Sequence, residues 1–253
     1  FVTMIHELGH GLSAVLTGGK FLRFEVSSRG AGLAYTAGGS RFIIIQAGYV
    51  GTAIFGAVLL FVANRYRRSD IVAIVLGSLI ALLTLLYSGL SLNNLSMFEM
   101  LLVSGVALGA GYVLFTADEE RLRYGGFALV GLAVLLLGYF AGLRDNWLTV
   151  LVGVASGAIL IGLGLRANAD VLVVALTFLA FLTGLQAITD VWVLLRILSM
   201  PAHMMPNNDA ISMANEIGGS ATLWALWWIA LDVVLFGSSA YLTFIRPLRA
   251  ESR

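Results

Sequence analysis

Long apolar runs separated by short polar punctuation dominate the chain: residues 42–63, 71–87, 98–117, 126–143, 147–165, 171–189 and 221–245 are almost free of charge. Each run is near the roughly 20 residues that a helix needs to cross about 30 Å of hydrocarbon. Residues 1–17 form an eighth run, a little short, with a polar cluster close to its start. The first residues already read as the interior of a helix, so the sequence is expected to be trimmed at its N-terminus. Apolarity within each run is continuous rather than alternating, and backbone groups inside lipid must be satisfied within the segment, so the runs predict helices and not barrel strands. The expected fold is therefore all-α, a polytopic transmembrane helix bundle of about eight spans. One stretch departs from this pattern. In Lys20–Ser40, Phe21, Phe24 and Val26 face Leu33, Tyr35 and Thr36 across a Gly-containing turn, which predicts a β-hairpin over about 20–38. The remaining connections are short and polar, except for Ser199–Ser220, and no linker divides the chain. Residues 1–253 read as one membrane-embedded domain.

Composition strengthens this picture. Apolar residues make up 59% of the chain and charged ones 11%, too few charges to coat a soluble domain. A net charge of +1 gives no reason to expect nucleic acid, and the absence of cysteine excludes thiolate metal sites and thiol nucleophiles. The expected surroundings are a lipid bilayer, in a multi-pass protein of the cell (plasma) membrane. Basic residues divide into Arg65, Arg67, Arg68, Arg121, Arg123, Arg166, Arg246, Arg249 and Arg253 on one side against six on the other, which places the first group in the cytoplasm. Gly153 and Gly157, and Gly48, Gly51 and Gly56, are spaced for close helix packing.

One motif carries chemistry: His6-Glu7-Leu8-Gly9-His10. Residues four apart share a helix face, so both imidazoles can reach one Zn²⁺ at about 2.0–2.1 Å, with the glutamate beside the open coordination position. Glu7 could then act as general base toward a water whose pKa falls toward about 7. Two histidines and a glutamate inside an apolar helix are costly unless metal-bound, paired or in a wet cavity. The bland alternative is a polar cluster that glues helices together.

A catalytic zinc takes three protein ligands as a rule, so a third is needed from elsewhere. Asp190, Asp209, Asp232 and His203 all lie in the C-terminal quarter. Tracing the spans puts Asp190 at the depth of the two histidines, measured from the same membrane face. Its helical neighbours Thr183 and Gln186 would make a polar stripe suited to a cavity wall. Asp232 also matches in depth but lies among the apolar Trp228 and Phe236. Asp209, in MPNNDAISMA, has the look of a helix N-cap, although Pro201 and Pro206 would let this stretch dip back into the membrane. The sequence-based expectation is Asp190, with Asp209 as the alternative third ligand.

HELGHGLSAVLTGGK, followed by a hairpin and then QAGYVGTAIFGA, resembles the site-2 protease family of intramembrane zinc metallopeptidases, in particular its smaller bacterial and plant branch. The similarity is dense over residues 1–60 and returns at ALTFLAFLTGLQAITDVW and NNDAISMANEIG. The resemblance implies zinc bound by His6 and His10, Glu7 as catalytic base, and an Asp from a later segment, Asp190 or Asp209, as the third ligand. The chain lacks the LDG element with its Asn-Pro-rich lead, and it has no PDZ-like insertion.

The implied activity is hydrolysis of a peptide bond in or near a transmembrane helix of a membrane protein substrate, as in regulated intramembrane proteolysis. The hairpin edge could hold an unwound substrate by strand addition. Gln46 and Tyr49 could contact the substrate or its oxyanion, with an interhelical bond as the plainer use of either. Trp224, Trp227 and Trp228 suggest an aromatic belt. The rival reading is a catalytically silent membrane scaffold or a transporter-like protein.

Overall fold

The computed structural model describes residues 1–28, 30–89, 97–116, 146–200, 206 and 208–251, with scattered residues between 125 and 136. The expected span at 126–143 and His203 fall largely or wholly outside these residues.

Helix α1 (Val2–Leu16) leads into strands β1 (Lys20–Val26) and β2 (Gly32–Ala37), followed by α2 (Arg41–Arg65), α3 (Ser69–Tyr87) and α4 (Met97–Thr116). After these come α5 (Trp147–Arg166), α6 (Ala169–Leu198), the short α7 (Asp209–Ile217), α8 (Ala221–Ala240) and α9 (Arg246–Glu251). Between α8 and α9 the helix widens to a π turn over Tyr241–Ile245, just before Pro247, which has no N–H to return to Thr243. Among the described residues, five helices are long and apolar enough to cross a membrane: Arg41–Arg65, Ser69–Tyr87, Trp147–Arg166, Ala169–Leu198 and Ala221–Leu248. The fold is a polytopic helical bundle with one small antiparallel hairpin.

The expected hairpin forms, with Val26 paired to Gly32 and Lys20 to Ala37. Its turn closes through Ser27 N–H to the Ala31 carbonyl, and Gly30 takes the positive φ of +82° that this turn demands. The two edges of the hairpin have different fates. Toward α5, the Val26 N–H donates to Thr149 Oγ1 at 2.7 Å, and the Asn146 amide donates to the carbonyls of Phe24 and Ser88 at 2.7 and 2.9 Å. Buried Asn146 and Thr149 thus pin the outer edge of β1 to the start of α5 and the end of α3. Among the described residues β2 pairs as a strand with β1 alone, and its other edge borders a cavity.

Helix α2 is the hub. It packs against α1, α6, α7 and α8, while α3 packs chiefly on α5. One apolar cluster joins Met4, Ile5 and Leu8 of α1 to Phe21 and Phe24 of the hairpin and to Leu59 and Leu60 of α2. A second joins Ile45, Val191, Leu194, Ala210, Met213, Ala225 and Trp228, from α2, α6, α7 and α8. The second cluster seats α7: Ala210 and Met213 are fully buried, so the amphipathic helix is fixed against three spans by its apolar face.

Candidate metal centre and active site

Helix α1 presents His6 and His10 on one face, their ring centroids 4.8 Å apart. Gly48 of α2 lies directly beneath them, where a Cβ would run into both Nε2 atoms. Gly9 lies against the Ala47 carbonyl, which allows α1 and α2 to approach closely enough for this arrangement. Asp209 arrives from the opposite side on α7. Its Oδ2 sits 3.2 Å from His6 Nε2 and 3.4 Å from His10 Nε2. All three ligand-type atoms fall within 4.8 Å of one another, which is room for a metal ion.

Electron-pair accounting favours a cation there. His10 Nδ1 contacts the Ile44 carbonyl at 2.6 Å, and a carbonyl only accepts, so Nδ1 carries the proton. In the neutral ring, Nε2 then offers a lone pair toward a carboxylate oxygen that also offers one. A second ring proton, giving an imidazolium–carboxylate pair, or a metal ion resolves this conflict, and the Ile44 bond orients the ring as an outer-shell partner does in metal sites. Two imidazole nitrogens and one carboxylate are also the donor set of an open catalytic zinc site. Burial opposes ionisation of the Asp209 carboxyl, but positive charge and hydrogen-bond donation from the His10 and His6 side prevail and hold it below its ordinary range.

Glu7 is buried between the histidines and the hairpin. A Cβ at Gly32 would overlap its carboxylate, and the Ala34 backbone approaches it from the same strand. The Tyr49 ring meets His6 edge-on at 4.7 Å and stacks on Trp228 at 5.0 Å. These groups share a cavity of about 740 Å³ whose wall includes Leu33, Ala34 and Thr36 of β2, Arg41 and Tyr49 of α2, Gln186 and Asp190 of α6, and Asn208, Asp209 and Ser212.

Of the two carboxylates expected as third ligand, Asp209 is the one that converges on the imidazoles. Asp190 lines the cavity, but it stands outside the converging group, and its Oδ1 accepts from the Gln186 amide at 2.6 Å. Depth along a helix does not set its rotation, and on α6 this carboxylate is held by Gln186 one turn before it and does not join the two imidazoles. The anticipated polar stripe also breaks, since Thr183 is fully buried and donates to the Leu179 carbonyl. Asp209 is not the N-cap. Asn208 holds that position, its Oδ1 accepting from the Ile211 N–H at 3.0 Å, which frees the Asp209 carboxylate. Asp232 is buried in the interior, and among the described residues neither of its carboxylate oxygens has a hydrogen-bond partner. Gln46 is half-buried and does not line the cavity. Trp228 is a core residue, not part of a belt, whereas Trp227 is half exposed. Sequence reasoning missed the clearance supplied by Gly48 and Gly32 and the cap at Asn208. An Asn-Asp pair opening a helix was the one local signal for the last of these.

A family model described as Peptidase M50B-like matches residues 1–124 and 102–239. No curated protein sequence and no solved structure matches the chain.

Proposed function

Because the chain belongs to the Peptidase M50B-like, site-2 protease-like family, we propose that it is a zinc endopeptidase that cleaves a peptide bond within or next to a transmembrane helix of another membrane protein. The observation that carries this reading is the meeting of His6 Nε2, His10 Nε2 and Asp209 Oδ2 beside the Glu7 carboxylate in one cavity. In this proposal His6, His10 and Asp209 hold the metal. When bound, zinc supplies Lewis acidity toward the scissile carbonyl and acidifies an attacking water.

The remaining work falls to the chain's own residues. Glu7, adjacent in sequence to His6 and enclosed by β2, takes the proton from the attacking water and delivers it to the departing amine. Tyr49, held rigidly between His6 and Trp228, presents a phenol that can donate to the developing oxyanion. The edge of β2 away from β1 runs along the cavity, where the Ala34 backbone meets Glu7, so an unwound substrate segment can add beside it as an extended strand. A substrate helix must be opened first, since its amides are otherwise hydrogen-bonded and shielded. Helix-breaking residues in the substrate should therefore help. The protein is a multi-pass membrane protein, and its residence in the cell membrane is part of this proposal.

The test combines metal and turnover. Purified protein should contain one zinc per chain, lost in His10→Ala, and should cleave a model transmembrane peptide that Glu7→Gln leaves intact. Zinc well below stoichiometric under metal-replete conditions, unchanged by His10→Ala, would return the chain to the silent-scaffold reading.

A further inference from the structure

Asp190 is left without a role once Asp209 joins the histidines. Its Oδ1 is taken by the Gln186 amide, and among the described residues none of the ion pairs between side chains involves it. Arg41, a permanently charged residue of the same wall, lies 3.9 Å from Glu216 of α7 instead. A carboxylate on a membrane-spanning helix is costly unless a wet cavity or a counter-charge compensates it; its hydrogen-bond partner here is an amide, and the His6 ring is near enough to act on it electrostatically. Further along the same wall, Val193, Leu194 and Ile197 of α6 face the cavity. An apolar ramp ending at a carboxylate fits a side chain that buries a hydrocarbon stem and carries its charge at the tip.

We propose that Asp190, oriented by Gln186, forms a specificity subsite that binds a lysine or arginine side chain of the substrate close to the scissile bond. The inference rests on the peptidase reading and adds a substrate preference to it. Asp190 acts on binding rather than on the chemistry, because Glu7 and the three converging ligand atoms form a separate group.

The probe is a set of model transmembrane peptides of leucine and alanine with a central Gly-Pro break. A single Lys, Leu or Glu is moved through successive positions on either side of the scissile bond. With zinc-loaded wild type, one position should favour Lys over Leu by roughly tenfold in kcat/KM, chiefly through KM. In Asp190→Asn that ratio should fall toward one, and in Asp190→Lys the Glu peptide should become the preferred one. A wild type with no positional preference, or a ratio that survives Asp190→Asn, would overturn the subsite. So would a kcat loss shared equally by all three peptides. Binding of the same peptides to Glu7→Gln separates the two proposals. Lysine-selective binding without cleavage by the wild type would sink the peptidase reading and leave the subsite standing, whereas cleavage with no selectivity in either assay would do the reverse.

Discussion

Glycine serves opposite ends in two parts of this membrane bundle. Between α3 and α5 it brings backbones together: a Cβ on Gly77 would meet the Gly157 carbonyl at 2.5 Å, and one on Gly157 would meet the Gly77 carbonyl at 2.6 Å. Around α1, β2 and α2 it makes room for side chains. Gly48 clears space for two imidazoles, and Gly32 for the Glu7 carboxylate. In the first region small residues do what small residues do in any membrane protein, which is to let helices pack where no hydrophobic force drives them together. In the second they hold open a polar pocket that packing would otherwise fill. The same substitution should therefore cost stability in one place and chemistry in the other.

The sharpest way to test that contrast is at the base. Glu7→Gln should lower turnover by roughly 10²–10⁴-fold while zinc content and helicity persist, as measured by peptide cleavage, elemental analysis and circular dichroism. Wild-type turnover in this variant would remove Glu7 from the mechanism. Next comes the choice between two carboxylates. Asp209→Ala should lose most of the bound zinc, and Asp190→Ala should keep it. The opposite pattern would restore the depth argument over the observed geometry. Gly48→Ala follows, and should depress zinc affinity and activity together because the added methyl displaces both imidazoles. If it merely lowers the unfolding temperature, the two uses of glycine are not distinct.

Gly77→Ala and Gly157→Ala should behave in the converse way. Each should destabilise the helix pair by roughly 1–3 kcal/mol in thermal unfolding in detergent, with zinc stoichiometry of the folded protein unchanged. The smallest effect belongs to Asn208→Ala. It removes a cap worth about 1 kcal/mol and should loosen α7, raising the rate of zinc loss to a chelator without eliminating binding. An unchanged loss rate would mean that the apolar seat of Ala210 and Met213 alone fixes Asp209.

Much of the molecule was legible from local pattern. Spans follow from the length of apolar runs, because the bilayer sets that length, and the hairpin from paired apolar positions around a glycine turn. His6, Glu7 and His10 needed only helical spacing, since residues four apart share a face whatever surrounds them. Asp209 and Asp190 mark where that reasoning stops. Both lie far along the chain from the histidines, and depth in the membrane admits either one. The angle at which α6 presents Asp190 depends on its packing against α2 and α8. The reach of Asp209 depends on Asn208 taking the cap and on Ala210 and Met213 seating α7 among three spans. Local periodicity determined which groups this chain could offer to a metal. The rotation of packed helices decided which of them meet, because an azimuth is set by contacts between elements and leaves no trace in the period of any one of them.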